Sequence, residues 1–90
     1  MQITDVRIRR LSGEDRVKAL CTILIDGVFA VHDLRVVEGP AGLFVSMPRR
    51  RTADGEYRDV AHPITSETRE MIQRAVLEAY HQSLLDKAGV

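Results

Sequence analysis

Only one stretch of this 90-residue chain repeats its apolar residues at helical spacing, and it comes at the end. Met71, Ile72, Ala75, Val76, Ala79 and Tyr80 form a stripe that predicts a helix over about residues 66–84. Thr65 or Ser66 can accept hydrogen bonds from its first free amides, and Glu67 and Glu70 suit the positive end of its dipole. Before this stripe the chain reads as strands separated by turn signals. At 1.5 Å per residue, a helix of about 20 residues is about 30 Å long, enough to cover one face of a small sheet but not both. A chain this short supports one core, so a single domain over residues 1–90 is expected. The fold class is α+β: an antiparallel β-meander of about four strands packed by a long C-terminal helix.

The strands are expected over about residues 2–10, 17–26, 28–37 and 43–47. In the first, Thr4, Val6 and Ile8 share one face, while Asp5, Arg7 and Arg9 share the other. Ser12, Gly13, Glu14 and Asp15 make a polar turn. The second strand sets Val17, Ala19, Cys21, Ile23 and Ile25 against Leu20, Thr22 and Leu24, and Asp26-Gly27 signals the next turn. The third sets Phe29, Val31 and Val37 against Val28, Leu34 and Val36. Glu38 to Gly42, with Gly39 and Pro40, reads as a loop, and Leu43, Val45 and Met47 then alternate with Phe44 and Ser46. Because the middle strands are apolar on both faces and one helix covers only one, two chains are expected to associate through the sheet as a homodimer.

Between the last strand and the helix lies a basic segment, residues 48–63. Pro48 cannot donate to a ladder and ends the strand. Arg49, Arg50 and Arg51 follow; Asp54-Gly55 signals a tight turn, and Glu56, Tyr57, Arg58 and Asp59 form the returning arm. Clustered guanidinium groups can reach phosphates while the Tyr57 ring stacks on an unpaired base. Equally, those arginines can pair with Asp54, Glu56 and Asp59 as an ordinary solvated loop. Arg69 and Arg74 on the helix admit the same two readings, nucleic-acid contact or surface charge. Net charge is zero, with 13 basic and 13 acidic residues, so distribution decides rather than the sum. Arginine suits phosphate and carboxylate alike.

Other classes find little support. No apolar run reaches the roughly 18 residues of a membrane span, and the N-terminus lacks a basic region followed by an apolar one, so a cytoplasmic location is expected. Cys21, the only cysteine, rules out an intramolecular disulfide or a thiolate zinc cluster. His32, His62 and His81 are scattered, without carboxylates at ligand spacing. A catalytic reading would need Cys21, Ser46 or Ser66 to act with His32 or His62. No Walker-type loop, dinucleotide fingerprint or nucleophile elbow is present. No catalytic residue, metal, cofactor or small-molecule substrate is therefore expected.

Three segments together resemble one known family: ITDVRIRR at residues 3–10, VHDLRVVEGPAGLFVSMPRRRTADGEYRDVAHPIT at 31–65, and TREMIQRAVLEAYH at 68–81. In order and spacing they resemble the stage V sporulation protein G family, SpoVG, also called the septation regulator. The resemblance implies a bacterial cytoplasmic homodimer that binds DNA and also RNA, has no catalytic activity, and influences sporulation, septum formation or related gene expression. It also implies nucleic-acid contacts at Arg50 and Arg51 in the segment after Met47-Pro48 and at Arg69 near the helix start. Arg49 and Arg74 are added from charge. Asp54 stands where some relatives are basic. The competing expectation is a protein-binding adaptor whose arginine-rich segment engages acidic partners, with nucleic-acid binding incidental.

Overall fold

The alternating part of the chain closes into one antiparallel sheet with the single helix laid across it. A computed structural model describes residues 1–13 and 15–88, with side chains to residue 85; Glu14, expected in the first turn, lies outside the described residues. The strands are β1 (Ile3–Arg10), β2 (Val17–Ile25), β3 (Phe29–Gly39) and β4 (Gly42–Ser46), paired in the order β1-β2-β3-β4. A separate two-stranded sheet pairs β5 (Arg49–Arg51) with β6 (Tyr57–Asp59), and α1 (Ser66–Ala88) ends the fold. The α+β meander expected from the periodicity is the observed architecture.

One face of the main sheet carries the core. Ala19, Cys21 and Ile23 of β2, Leu34 and Val36 of β3, and Val45 with Met47 bury against Ile72, Val76 and Tyr80 of α1. Those three helix residues recur every fourth position, so they stack along one line of α1. Burying a side chain such as Val76 removes about 1.5–3 kcal/mol of apolar exposure from water, which is why a face of this width holds the helix down. Thr65 caps the helix: its hydroxyl accepts from the Thr68 amide at 3.2 Å, and its carbonyl accepts from the Arg69 amide at 3.1 Å. The helix runs to Ala88, four residues past the expected end, because no glycine or proline interrupts it before Gly89.

Three β-bulges alter the expected faces. Ile3 pairs with Ile25 but Asp5 pairs with Leu24, so Thr4 is the extra residue, and Ile3 rather than Thr4 joins Val6 and Ile8 against the core. The Thr4 hydroxyl turns outward, accepting from the Gly27 amide at 2.9 Å. Another bulge falls at Lys18. In the third, Cys21 pairs with Leu34 and Ile23 with Val31, leaving Thr22 opposite both His32 and Asp33; Asp33 takes φ 68°, which aspartate tolerates. That kink returns Val31 to the core face beside Leu34 and Val36, not opposite them as alternation alone predicts.

The remaining corrections concern turns. Gly39 pairs directly with Gly42, so the expected loop from Glu38 shrinks to a two-residue turn at Pro40-Ala41, and β3 extends to Gly39. The Phe44 ring lies over Gly39, where an added Cβ would meet a ring carbon at 2.9 Å. The turn after β2 matches its signal: Asp26 and Gly27 both take positive φ, 52° and 69°, and the Val28 amide donates to the Ile25 carbonyl at 3.0 Å.

Candidate nucleic-acid interface

The two arms expected on either side of the Asp54-Gly55 turn pair as a hairpin. Pro48, buried, ends β4, and the Val60 amide donates to its carbonyl at 2.7 Å, closing the neck of a ribbon. At the tip the Gly55 amide donates to Thr52 O at 3.0 Å, the Thr52 amide donates to Glu56 O at 2.7 Å, and Gly55 takes φ 85°. Asp54 is part of this turn. Its carboxylate accepts from the Thr52 hydroxyl and from the Glu56 amide, and these bonds hold the carboxyl below the ordinary aspartate value. Asp54 thus shapes the tip.

Register then sorts the charges. Arg49 pairs with Asp59, Arg50 with Arg58 and Arg51 with Tyr57. Residues two apart on a strand share a face, so the Arg49–Asp59 and Arg51–Tyr57 pairs lie on one side of the ribbon and Arg50 with Arg58 on the other. On the first side, Arg49 is neutralised by Asp59 at 3.1 Å. On the second, two guanidinium side chains stand directly opposite, an arrangement that destabilises a sheet in the absence of an anion. Among the described residues the one ion pair these two arginines make is Arg58 with Glu56, at 3.9 Å. All six strand residues are exposed.

The residues singled out from sequence therefore do not form one cluster. Arg49 is engaged in an ion pair; Arg50 and Arg51 point to opposite sides of the ribbon, with Tyr57 directly across from Arg51 and 64% exposed. Arg69 and Arg74 are exposed on α1, and Arg74 stands near Gln2 and Ile3 at the start of β1. No hydrogen bond or ion pair among the described residues joins either to the ribbon. The residue that sequence reading left out of the site is Arg58. A two-residue turn at Asp54-Gly55 sets residue 50 against residue 59; the observed turn has three residues between Thr52 and Glu56 and is centred on Asp54, and that one-residue difference brings Arg58 opposite Arg50.

The candidates for other chemistry are dispersed. His32 shares a hydrogen bond with the Thr22 hydroxyl at 3.0 Å on β3, His62 lies 3.0 Å from the Pro63 carbonyl in the connection to α1, and His81 sits beside Tyr80 on the helix. Cys21 is 3% exposed, and burial pushes its thiol up to about 11 from an ordinary 9.0. Ser46 and Ser66 lie on β4 and at the helix start, with neither bonded to a histidine. Among the described residues no helix is long and apolar enough to cross a membrane.

A helix-backed antiparallel sheet that holds a small charged ribbon apart from its core defines the class: an α+β domain that carries an arginine-bearing hairpin. The chain belongs to the SpoVG family, whose profile matches residues 1–82. It is 52% identical over 80 residues to the "Putative septation protein SpoVG" of Caldicellulosiruptor bescii, covering 89% of this chain and 91% of that one. It is 51% identical over 87 residues to the protein of the same name from Clostridium beijerinckii, covering 97% and 96%. With septation protein SpoVG 1 of Listeria monocytogenes serotype 4b the identity is 60% over 80 residues, covering 89% and 78%.

Proposed function

We propose that this chain is a cytoplasmic, non-catalytic regulator of sporulation, septation or related gene expression that binds nucleic acid through its basic ribbon and acts as a homodimer. The observation that carries the reading is the Arg50–Arg58 pair: two exposed cations set opposite each other by register, with a single ion pair, Glu56 to Arg58 at 3.9 Å, between the two of them and any acid among the described residues. A phosphate seated there offsets their repulsion and gains two charge-assisted hydrogen bonds. The ribbon also has a suitable shape, since the major groove of a duplex admits a two-stranded β-ribbon. On this reading Arg51 and Tyr57 face the opposite wall of the groove, Arg49 stays with Asp59 as a strut, and Arg69 and Arg74 are secondary contacts. Two-fold symmetry doubles the ribbon.

The test is a fluorescence-anisotropy titration of labelled duplex DNA and single-stranded RNA at several salt concentrations. Three cations per ribbon (Arg50, Arg51 and Arg58) in two subunits correspond to a log–log salt slope of roughly −5 on duplex DNA. The Arg50→Ala/Arg58→Ala double variant should lose most of that slope while its melting temperature stays nearly unchanged, because exposed cations contribute little to stability. A flat salt response in the wild type overturns the reading and favours an adaptor for acidic protein partners. Light scattering gives the mass; a monomer at micromolar concentration removes the dimer from the proposal.

A further inference from the structure

The face of the main sheet turned away from α1 carries the apolar side chains of the middle strands that the alternation predicts, Leu20, Leu24 and Val37, with arginines set among them. Along one row crossing the strands stand Arg9 of β1, Leu20 of β2, Arg35 of β3 and Ser46 of β4, successive partners in register. The next row holds Arg7, Thr22 and the His32–Asp33 bulge, and around these two rows lies a shallow depression of about 540 Å³ lined in part by Arg7, Arg9, Leu20, Thr22 and His32. On the far side of Arg35, Val37 pairs with Phe44, whose ring is 41% exposed. Arg7 is held by Asp5 at 3.2 Å, whereas Arg9 and Arg35 have no ion-pair partner among the described residues. The face is therefore a half-exposed apolar floor of Leu20, Leu24 and Val37, with Arg9 on the edge strand β1 and Arg35 on β3, neither ion-paired among the described residues, and the Phe44 side chain on β4 at the other side.

We infer that this open face is a second nucleic-acid surface, separate from the ribbon, and that it takes a single strand laid across β1 to β4. The inference extends the nucleic-acid reading above to a different part of the molecule. Strands lie about 4.8 Å apart, so the Cα atoms of Arg9 and Arg35, two strands apart in one row, stand about 10 Å from each other, a spacing suited to separate backbone contacts along a strand. A duplex exterior offers this surface only phosphates and leaves the apolar floor wet. A single strand offers phosphates to the arginines and base faces to Phe44 and the leucines, the combination that single-strand binding surfaces use. A face-to-face pairing of two copies would set Arg9 and Arg35 of each against a like-charged surface, which argues against this face as the seat of a dimer.

The experiment uses the full chain, with labelled mixed-sequence single-stranded RNA and duplex DNA as probes, and compares Arg9→Ala/Arg35→Ala with Arg50→Ala/Arg58→Ala. Loss of two single-strand phosphate contacts at about 0.7 each lowers the salt slope by about 1.4 and weakens binding roughly tenfold at about 0.15 M salt. The open-face variant is expected to show that loss on the single strand and none on the duplex, with amide shifts at Arg9, Leu20 and Arg35 of the wild type when single strand is added. Unchanged single-strand affinity, or an equal loss on both probes, overturns the inference. So does a change in molecular mass in the open-face variant, which would make the face an interface between copies. If the duplex is not bound at all, the ribbon reading fails while the single-strand arm still decides this one.

Discussion

Replacing Arg50 by glutamate separates the ribbon's stability from its binding. In the register observed, residue 50 faces Arg58 across the ribbon. Like charges directly opposite destabilise and opposite charges stabilise, each by roughly 0.2–1 kcal/mol, so Arg50→Glu should swing the pair by about 1 kcal/mol toward the closed ribbon. The main core is untouched, because all residues of β5 and β6 are exposed, and the global melt should barely move. The effect is local, and hydrogen exchange reads it: the Thr52 amide bonds to Glu56 O at 2.7 Å and the Val60 amide to Pro48 O at 2.7 Å, bracketing the ribbon at tip and neck. At RT of about 0.59 kcal/mol, a swing of about 1 kcal/mol slows exchange at these sites roughly fivefold. Binding should move the other way. One lost duplex contact per ribbon is worth about fivefold at about 0.15 M salt, so a dimer loses roughly 30-fold before any repulsion from the new carboxylate, and the salt slope flattens from roughly −5 to roughly −3.6. A variant whose ribbon amides exchange more slowly while duplex affinity persists would falsify the assignment of the Arg50–Arg58 face to phosphate. Faster exchange at both amides would refute the register argument itself.

Three further outcomes follow from the core and the helix. Val76→Ala removes two methyl groups from a fully buried site between Ile72 and Tyr80, which should cost about 2 kcal/mol and lower the melting temperature by roughly 10 °C, read by circular dichroism. Thr65→Ala deletes the hydroxyl that caps the Thr68 amide and should cost about 1 kcal/mol in urea unfolding, while Thr65→Ser restores most of it. Cys21 has its folded value raised from 9.0 to about 11, so its contribution is complete below pH 9 and is lost as the pH rises through about 11, to a limit of roughly 3 kcal/mol; Cys21→Ala should remove that alkaline loss. An alkaline melt of the same shape in Cys21→Ala would assign the loss to another group.

Much of this architecture can be read from residue spacing. The shared face of Ala19, Cys21, Ile23 and Ile25 in β2, the positive-φ turn at Asp26-Gly27, the end of β4 at Pro48 and the cap at Thr65 all follow from local rules that tertiary packing did not override, whereas the bulge at Lys18 takes Val17 off that face. Where reading by alternation fails, the cause is an extra residue in one strand. Thr4, Lys18 and Asp33 each add one, and period-two reasoning has no means of detecting the slip, because aspartate in a left-handed conformation looks like any other strand residue in text. The site was legible as a concentration of arginine but not as a geometry. That Arg49 is paired with Asp59, and that Arg58 is the residue facing Arg50, depends on a register that only the turn specifies. Likewise Arg9 and Arg35 stand in one row only because three strands align them, a relation between positions 26 apart in the chain.

The isolation of the ribbon bears on how such a domain changes over generations. Its strands lend no side chain to the core, and its shape rests on the Thr52–Asp54–Gly55 tip and the Pro48–Val60 neck. Substitutions at positions 49–51 and 57–59 can therefore accumulate without drawing on the folding stability of the rest. Selection can revise the charge and shape of the hairpin while the helix-backed sheet stays constant. The same separation makes it a practical graft: another hairpin of equal length, set between Pro48 and Val60, should change the target and keep the scaffold.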